Sequence, residues 1–169
     1  SMQENVILVD EQDREIGQGE KIQTHRDAKL HRSFSIFIYN SADEMLLQRR
    51  ARDKYHSGGL WTNACCGHPR PGENTADAAH RRLQEEMGFD CALQEILQFT
   101  YKVRLDHGLW EHEFDHAFMG IYDGSMQPDP QEADCFKCVP KENLLQDVRE
   151  HPEHYTEGFK SALERVLSH

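Results

Sequence analysis

The sequence predicts an α/β domain, and three observations carry that prediction. Segments such as Ser33–Asn40 and Leu109–Tyr122 alternate or run apolar as strands do. Amphipathic helical stretches at 74–88 and 155–167 are interspersed with them. The length of 169 residues suits one domain spanning 1–169, which buries roughly 70% of the surface its unfolded chain would expose.

In chain order, Val6–Val9 is a short apolar run ended by the polar turn Asp10–Asp13, with Ile16-Gly17 starting its return: an N-terminal β-hairpin. Residues 20–31 are polar and read as a short helical turn or loop. Ser33–Asn40 is a strand buried on at least one face, Asn40–Asp43 is a turn, and Met45–Gln48 returns as a second strand. The basic run Arg49–Lys54 that follows is either solvated or a site for charged phosphate.

Trp61–Cys66 is extended, and Gly67–Glu73 is a tight loop holding two prolines. Asn74 or Thr75 can cap the following helix, Asp77 suits its first turn, and Gly88 ends it. On the wheel Ala76, Ala79, Leu83 and Met87 form the apolar stripe; Arg82 and Glu86 lie one turn apart on its edge, with Glu86 better placed than Glu85 to face a cleft. Glu95–Val103 and Leu109–Tyr122 are two more strands. In the second, period two sets Glu111, Glu113 and Asp115 on one face, against Trp110, His112, Phe114 and His116 on the other. Carboxylates projecting together from a buried strand need a reason, and a cation is the natural one. Gly124–Ala133 is a proline-rich acidic loop, Cys135–Val139 a further strand, and Pro140–Val148 and Tyr155–Leu167 are helices.

Lys plus Arg number 19 and Asp plus Glu 30, a net charge of −11, which excludes a broad basic face for nucleic acid or anionic membrane. No apolar run approaches the roughly 20 residues needed to cross a bilayer. Five cysteines, an odd number without a preceding secretory signal, point to a reducing, cytoplasmic setting. Ser1-Met2 reads as a cloning remnant ahead of the natural start. Cys135 and Cys138 form a C-x-x-C, but strand residues three apart face opposite ways and no second pair exists, so they form neither a zinc nor a redox site.

From Gly67 onward the chain fits G-x5-E-x7-R-x-aliphatic-x-E-E-x-G-apolar, met by Gly67, Glu73, Arg81, Leu83, Glu85, Glu86, Gly88 and Phe89. This loop-helix at 67–89 resembles the Nudix box, which holds divalent metals against a diphosphate. It departs from that box at Arg82, where Nudix hydrolases carry a glutamate. A guanidinium there removes an anion from the metal cluster and adds a fork for phosphate oxygens, so the site holds a diphosphate rather than cleaving it.

Together with Glu20-Lys21, His25, Leu30-His31, Arg49-Arg50, Lys54, Trp61-Thr62-Asn63, Cys66-Gly67-His68-Pro69, Arg81-Arg82, Tyr101 and the spaced Glu111-x-Glu113, the motif resembles the type 1 isopentenyl-diphosphate delta-isomerase family over nearly the whole chain. The resemblance implies a Nudix-like α/β/α sandwich with mixed β-sheets and an enzyme interconverting isopentenyl and dimethylallyl diphosphate. It implies that His25, His31, His68, Glu111 and Glu113 surround one divalent metal, manganese first, with zinc or magnesium as the other candidates. It implies that Lys21, Arg50, Lys54 and Arg82 hold the diphosphate, with Mg2+ bridged to Glu86. It implies, too, that Cys66 and Glu113 form the acid–base pair, with Tyr101 beside Glu113.

Cys66 with His68 does not make a cysteine protease, because residues two apart cannot form the nucleophile–base pair without folding back and no orienting third group is evident. Cys65, pointing away from Cys66, is read as packing. One stretch departs from the family: Gly158 stands where an aromatic-Thr-Pro-Trp-Phe type segment has tryptophan. Trp110, Tyr155 and Phe159 are the candidate substitutes, and Trp61 a candidate pocket wall. The alternatives to the isomerase are a Nudix pyrophosphohydrolase and a non-catalytic Nudix ligand-binding module. The partner is a small allylic or homoallylic diphosphate; the oligomeric state is not fixed by the sequence, and a monomer is compatible with it.

Overall fold

The computed structural model describes residues 4–169, so the expectation for Ser1-Met2 lies outside the described residues. The N-terminal hairpin pairs β1 (Asn5–Val9) with β2 (Glu15–Glu20) antiparallel, and a one-turn-plus helix α1 (Lys21–Arg26) follows directly. The Glu20 carboxylate caps α1 by accepting from the Ile22 and Gln23 amides. That cap settles the open reading of 20–31: a short helix, then the strand β3 (His31–Tyr39).

The central strand is β3. It pairs antiparallel with β1, with β4 (Glu44–Arg50) and with the short β6 (Cys65–Gly67), and parallel with β8 (Trp110–Ile121). The strand β5 (Trp61–Asn63) adds to β4, as does β9 (Ala133–Pro140), while β7 (Gln94–Arg104) runs antiparallel along β8. The sheet is therefore mixed. Strand alternation on β3 sends Phe34, Ile36 and Ile38 to one face and Phe37 and Tyr39 to the other. The helix α2 (Thr75–Met87) packs Ala78, Ala79, Leu83 and Met87 on the first face. On the second face lie α3 (Lys141–Glu150), through Leu144, and α4 (Glu157–Leu167), through Phe159, Leu163 and Val166. The result is helix, sheet, helix.

The helix α2 starts at the Asn74 cap and ends where Gly88 takes a left-handed conformation at φ 72. Its stripe differs from the predicted one at a single position. Ala76, in the first turn, is exposed and Ala78 is buried in its stead. What covers the start of a helix is set by other segments, which periodicity does not report. Glu86 lies within the buried face. No helix among the described residues is long and apolar enough to cross a membrane.

Candidate active site and metal centre

A cleft opens between the N-terminal segment, the loop after β4, the loop before α2 with the second half of that helix, the β7–β8 pair and the first turn of α4. Its centre is a group of three imidazoles and a carboxylate: ligand atoms of His25, His31, His68 and Glu113 all lie within 4.8 Å of one another. Each arrives from a different element. α1 supplies His25, the start of β3 His31, the residue after β6 His68, and β8 Glu113, which the parallel register sets directly beside His31.

Hydrogen-bond accounting shows what this group fits. Nδ1 of His25 lies 2.7 Å from the Lys21 carbonyl and Nδ1 of His31 lies 2.9 Å from that of Lys29, so both Nδ1 atoms carry the hydrogen. A ring that carries its single hydrogen on Nδ1 turns an Nε2 lone pair inward. These lone pairs face Glu113 Oε2, at 3.2 Å from His31 and 4.0 Å from His25, while His68 Nε2 lies 3.2 Å from the same oxygen. A lone pair facing a carboxylate oxygen is acceptor against acceptor. His25 Nε2 is buried without a hydrogen-bond partner among the described residues. Burial, helped by the neighbouring imidazoles, lowers the His25 pKa to about 4, so its lone pair is free at neutral pH. A divalent cation resolves these conflicts, and a nitrogen-rich donor set suits a first-row ion.

Glu111, expected as a fifth ligand, stands beside this group rather than within it. Its Oε1 accepts from Tyr101 at 3.3 Å and its Oε2 lies 3.9 Å from His56 Nε2. Tyr101 also donates to Glu113 Oε1 at 2.9 Å, so one phenol joins the two carboxylates. Burial and the Glu113 charge push the Glu111 carboxyl well up. At Glu113 burial raises the carboxyl and the His31 and His68 imidazoles lower it; the imidazoles prevail and hold it well down, because with no cation between them a protonated ring can donate to the carboxylate.

Cys66 faces the same cleft from β6. Its Sγ lies 3.4 Å from Asn63 Oδ1 and 3.8 Å from Ser35 Oγ, and Asn63 is fixed because its amide donates to the Ile36 and Cys65 carbonyls. Burial, then the nearby Asp115 carboxylate, push the Cys66 thiol up. Asp115 accepts from both Ser33 and Ser35, and burial followed by Glu113 raises it to about 7.

The cleft's other end is cationic. Lys21, Arg50, Lys54 and Arg82 all line it, as Glu86 does. The Tyr55 ring lies among three of them, with centroid distances of 4.6 Å to Lys21 Nζ, 5.7 Å to Lys54 Nζ and 6.0 Å to Arg50 Cζ. Arg50 is aimed by two donations to the His56 carbonyl, at 3.2 and 3.1 Å. Arg82 Nη2 lies 3.4 Å from Glu86 Oε2. The Cys65 thiol donates to that same oxygen at 2.7 Å, so Cys65 is a buried partner of Glu86 as well as packing.

Among the cleft residues that escaped the sequence reading are Glu4, paired with Lys21 at 3.1 Å, Tyr55, His56, and Glu132, paired with Lys54 at 2.8 Å. Only the basic run around Tyr55 and His56 marked the region; nothing local distinguishes Glu4 or Glu132 from surface acids. The aromatic substitutes for a tryptophan at 158 also sort out. Phe159 lines the cleft beside Gly158, whereas Trp61, Trp110 and Tyr155 do not. Trp61 is covered by Lys137 and Arg49, Trp110 by Lys102 and Arg104, and Tyr155 turns its hydroxyl to Asp147. Cys135 and Cys138 both remain free thiols.

Residues 29–159 match the NUDIX domain family. The chain is 50% identical over 167 residues to isopentenyl-diphosphate Delta-isomerase 2 of Aromatoleum aromaticum, covering 99% of this chain and 88% of that one. It is 49% identical to isopentenyl-diphosphate Delta-isomerase of Serratia proteamaculans, covering 94% and 88%. In fold it is similar to the Deinococcus radiodurans protein DR0079, with a TM-score of 0.80 at 19% identity over 96% of this chain and 98% of that one. A MutT protein from Methanosarcina mazei shares the fold at a TM-score of 0.66 and 21% identity, covering 80% and 91%. The chain belongs to the isopentenyl-diphosphate Delta-isomerase family, built on a NUDIX domain.

Proposed function

We propose that this chain is a metal-dependent isomerase that interconverts isopentenyl diphosphate and dimethylallyl diphosphate in isoprenoid biosynthesis. One observation carries the reading: a thiol, Cys66, and a phenol-bonded carboxylate, Glu113, open onto one cleft whose far end is a cluster of four cations. That is the layout for anchoring an anion remotely while moving protons at an unreactive hydrocarbon.

Lys21, Arg50, Lys54 and Arg82 grip the diphosphate, with Mg2+ carried by Glu86. His25, His31, His68 and Glu113 hold the second divalent ion, manganese before zinc or magnesium, with Glu111 beside them as the fifth candidate. When bound, that ion supplies positive charge that fixes the orientation and acidity of Glu113. The terminal methylene carbon of isopentenyl diphosphate gains a proton, which leaves positive charge on the tertiary carbon. Loss of a proton from the carbon nearer the diphosphate then re-forms the double bond. Cys66 and Glu113 give and take these protons on opposite faces, exchanging roles with the direction of reaction, and Tyr101 helps deliver the proton at Glu113. We place the whole chain, as one domain, in the cytoplasm, acting on a small diphosphate and on neither nucleic acid nor membrane.

Incubation of the metal-loaded protein with isopentenyl diphosphate in deuterated water, followed by NMR, tests this reading. Deuterated dimethylallyl diphosphate without phosphate release is the expected outcome. Phosphate release would point to a pyrophosphohydrolase, and saturable binding without turnover to a ligand-binding module.

A further inference from the structure

The cation clamp contains a carboxylate that the diphosphate reading does not use. Glu132, on the loop between β8 and β9, places Oε2 2.8 Å from Lys54 Nζ and 3.5 Å from Arg82 Nη2. Glu86 Oε2 stands 3.4 Å from the same Arg82 nitrogen. Two carboxylates of the cleft thus converge on one guanidinium nitrogen, while Glu85, outside the cleft lining, holds the other terminal nitrogen at 3.1 Å; in the absence of a further cation the two cleft carboxylates repel an incoming anion.

Their relative position is built into the backbone. The Asp129 amide donates to the Glu86 carbonyl at 2.8 Å, and the Asp129 carbonyl accepts from the Glu132 amide at 2.9 Å. The Glu132 carbonyl in turn accepts from Ala51 at 3.0 Å, three residues before Lys54. The loop therefore fixes Glu132 to the turn of α2 that presents Glu86 and, through Ala51, to the turn after β4 that presents Lys54. Such anchoring is more than a solvated acidic loop needs.

Charge decides what the arrangement selects. Six Lys and Arg side chains line the cleft against five carboxylates, Glu132 among them, which leaves one formal positive charge. A diphosphate brings more negative charge than that surplus, and a divalent cation supplies the difference. Mg2+ takes one or two carboxylates together with substrate phosphates and keeps several waters, so it can reach a second carboxylate directly or through a water.

We propose that Glu132 is the second carboxylate of the magnesium–diphosphate site and makes the clamp read metal-loaded diphosphate in preference to the free anion. The proposal rests on the diphosphate reading of this cleft. Glu132 would act in both senses of specificity, attracting the complex and repelling the bare anion.

The test is calorimetric titration of inorganic diphosphate into the full chain, with and without Mg2+, for the wild type, Glu132→Gln and Glu132→Asp. In the wild type Mg2+ should tighten binding at least tenfold. In Glu132→Gln the metal-free affinity should rise, the Mg2+ enhancement should shrink at least fivefold, and Glu132→Asp should recover part of it. Equal enhancement in wild type and Glu132→Gln, at unchanged melting temperature, overturns the role of Glu132 while leaving the diphosphate site intact. If the wild type binds no diphosphate under either condition, the reading of the cleft falls and this proposal with it. If Glu132→Gln unfolds, the comparison passes to Glu132→Asp, whose enhancement must then fall below that of the wild type.

Discussion

Cys65 donates its thiol hydrogen to Glu86 at 2.7 Å inside the core, beneath the helix that carries the NUDIX motif. The pair joins the strand that presents the reactive thiol, one residue on, to the carboxylate assigned to magnesium. Burial raises the Glu86 carboxyl pKa, and Arg82 and this thiol work against that rise. Cys65→Ala leaves a buried carboxylate short of a donor, a loss of about 1.5 kcal/mol or tenfold in an equilibrium. The half-saturating Mg2+ concentration should rise by about that factor in Cys65→Ala and by less in Cys65→Ser, while activity at saturating Mg2+ falls less than threefold. An unchanged Mg2+ titration in Cys65→Ala would show that the thiol only packs.

Chelation should destabilise the protein as well as silence it. The inward Nε2 of His25 has no hydrogen-bond partner among the described residues, so the metal-free centre holds an unpaid polar group and opposed lone pairs. An ion present at about one hundred times its dissociation constant stabilises the folded state by about 2.7 kcal/mol. For a chain of this length that corresponds to roughly 5–10 °C in melting temperature. Differential scanning calorimetry before and after chelation, then with Mn2+ or Zn2+ restored, measures the shift. His25→Ala should abolish it.

Tyr101 touches both carboxylates of β8, at 2.9 Å to Glu113 and 3.3 Å to Glu111. Tyr101→Phe keeps the ring and removes the proton. The expected loss is about 10²-fold in kcat, at the lower end of general acid–base contributions, with KM changed less than threefold. Steady-state kinetics at saturating metal separate the two. A KM effect alone would make the phenol a binding group.

Gly158 has little room for a side chain. A Cβ there would stand 3.1 Å from the Tyr101 hydroxyl and 3.2 Å from Glu111 Oε1. Gly158→Ala must therefore push those groups by a few tenths of an ångström, and kcat should fall about tenfold, since small misplacements of reacting groups are costly. Gly158→Ala with wild-type kcat would show that Tyr101 and Glu111 have slack.

Residue spacing alone reports what lies within one element; the metal group and the cation cluster, which span elements, were legible only through the family resemblance. Glu111, Glu113 and Asp115 share a face because a strand repeats every two residues, and Glu86 turned inward because a helix repeats every 3.6. The pairing of His31 with Glu113 needed the parallel register of β3 on β8, which no local pattern encodes. The same holds for Glu132, an acid in a proline-rich loop until the backbone relay through Asp129 sets it beside Arg82. Trp61 shows the converse. It sits in the most distinctive motif of the chain yet turns to Lys137 and Arg49, away from the cleft, because strand alternation at β5 sends it to the other side.

The loop before α2 gives a pH signature independent of catalysis. Arg81 donates through Nε and Nη2 to both oxygens of Glu73, at 2.8 and 2.9 Å, a bidentate pair that pins the loop to the helix. The hydrogen bonds from Arg81 outweigh burial and hold the Glu73 carboxyl below its ordinary value of 4.5. A carboxylate with a depressed folded pKa binds fewer protons when folded than when unfolded. Its stabilisation is therefore fully present above the unfolded value and is lost as pH falls through the folded one. Glu73→Gln should cost about 1 kcal/mol at pH 7, as a well-formed, partly buried pair does. Urea unfolding of wild type and Glu73→Gln at pH 7 should show that gap, and at a pH below the folded value the two curves should converge. A gap that persists in acid would mean that Glu73 stabilises the loop through packing and its hydrogen bond from the Arg70 amide rather than through charge.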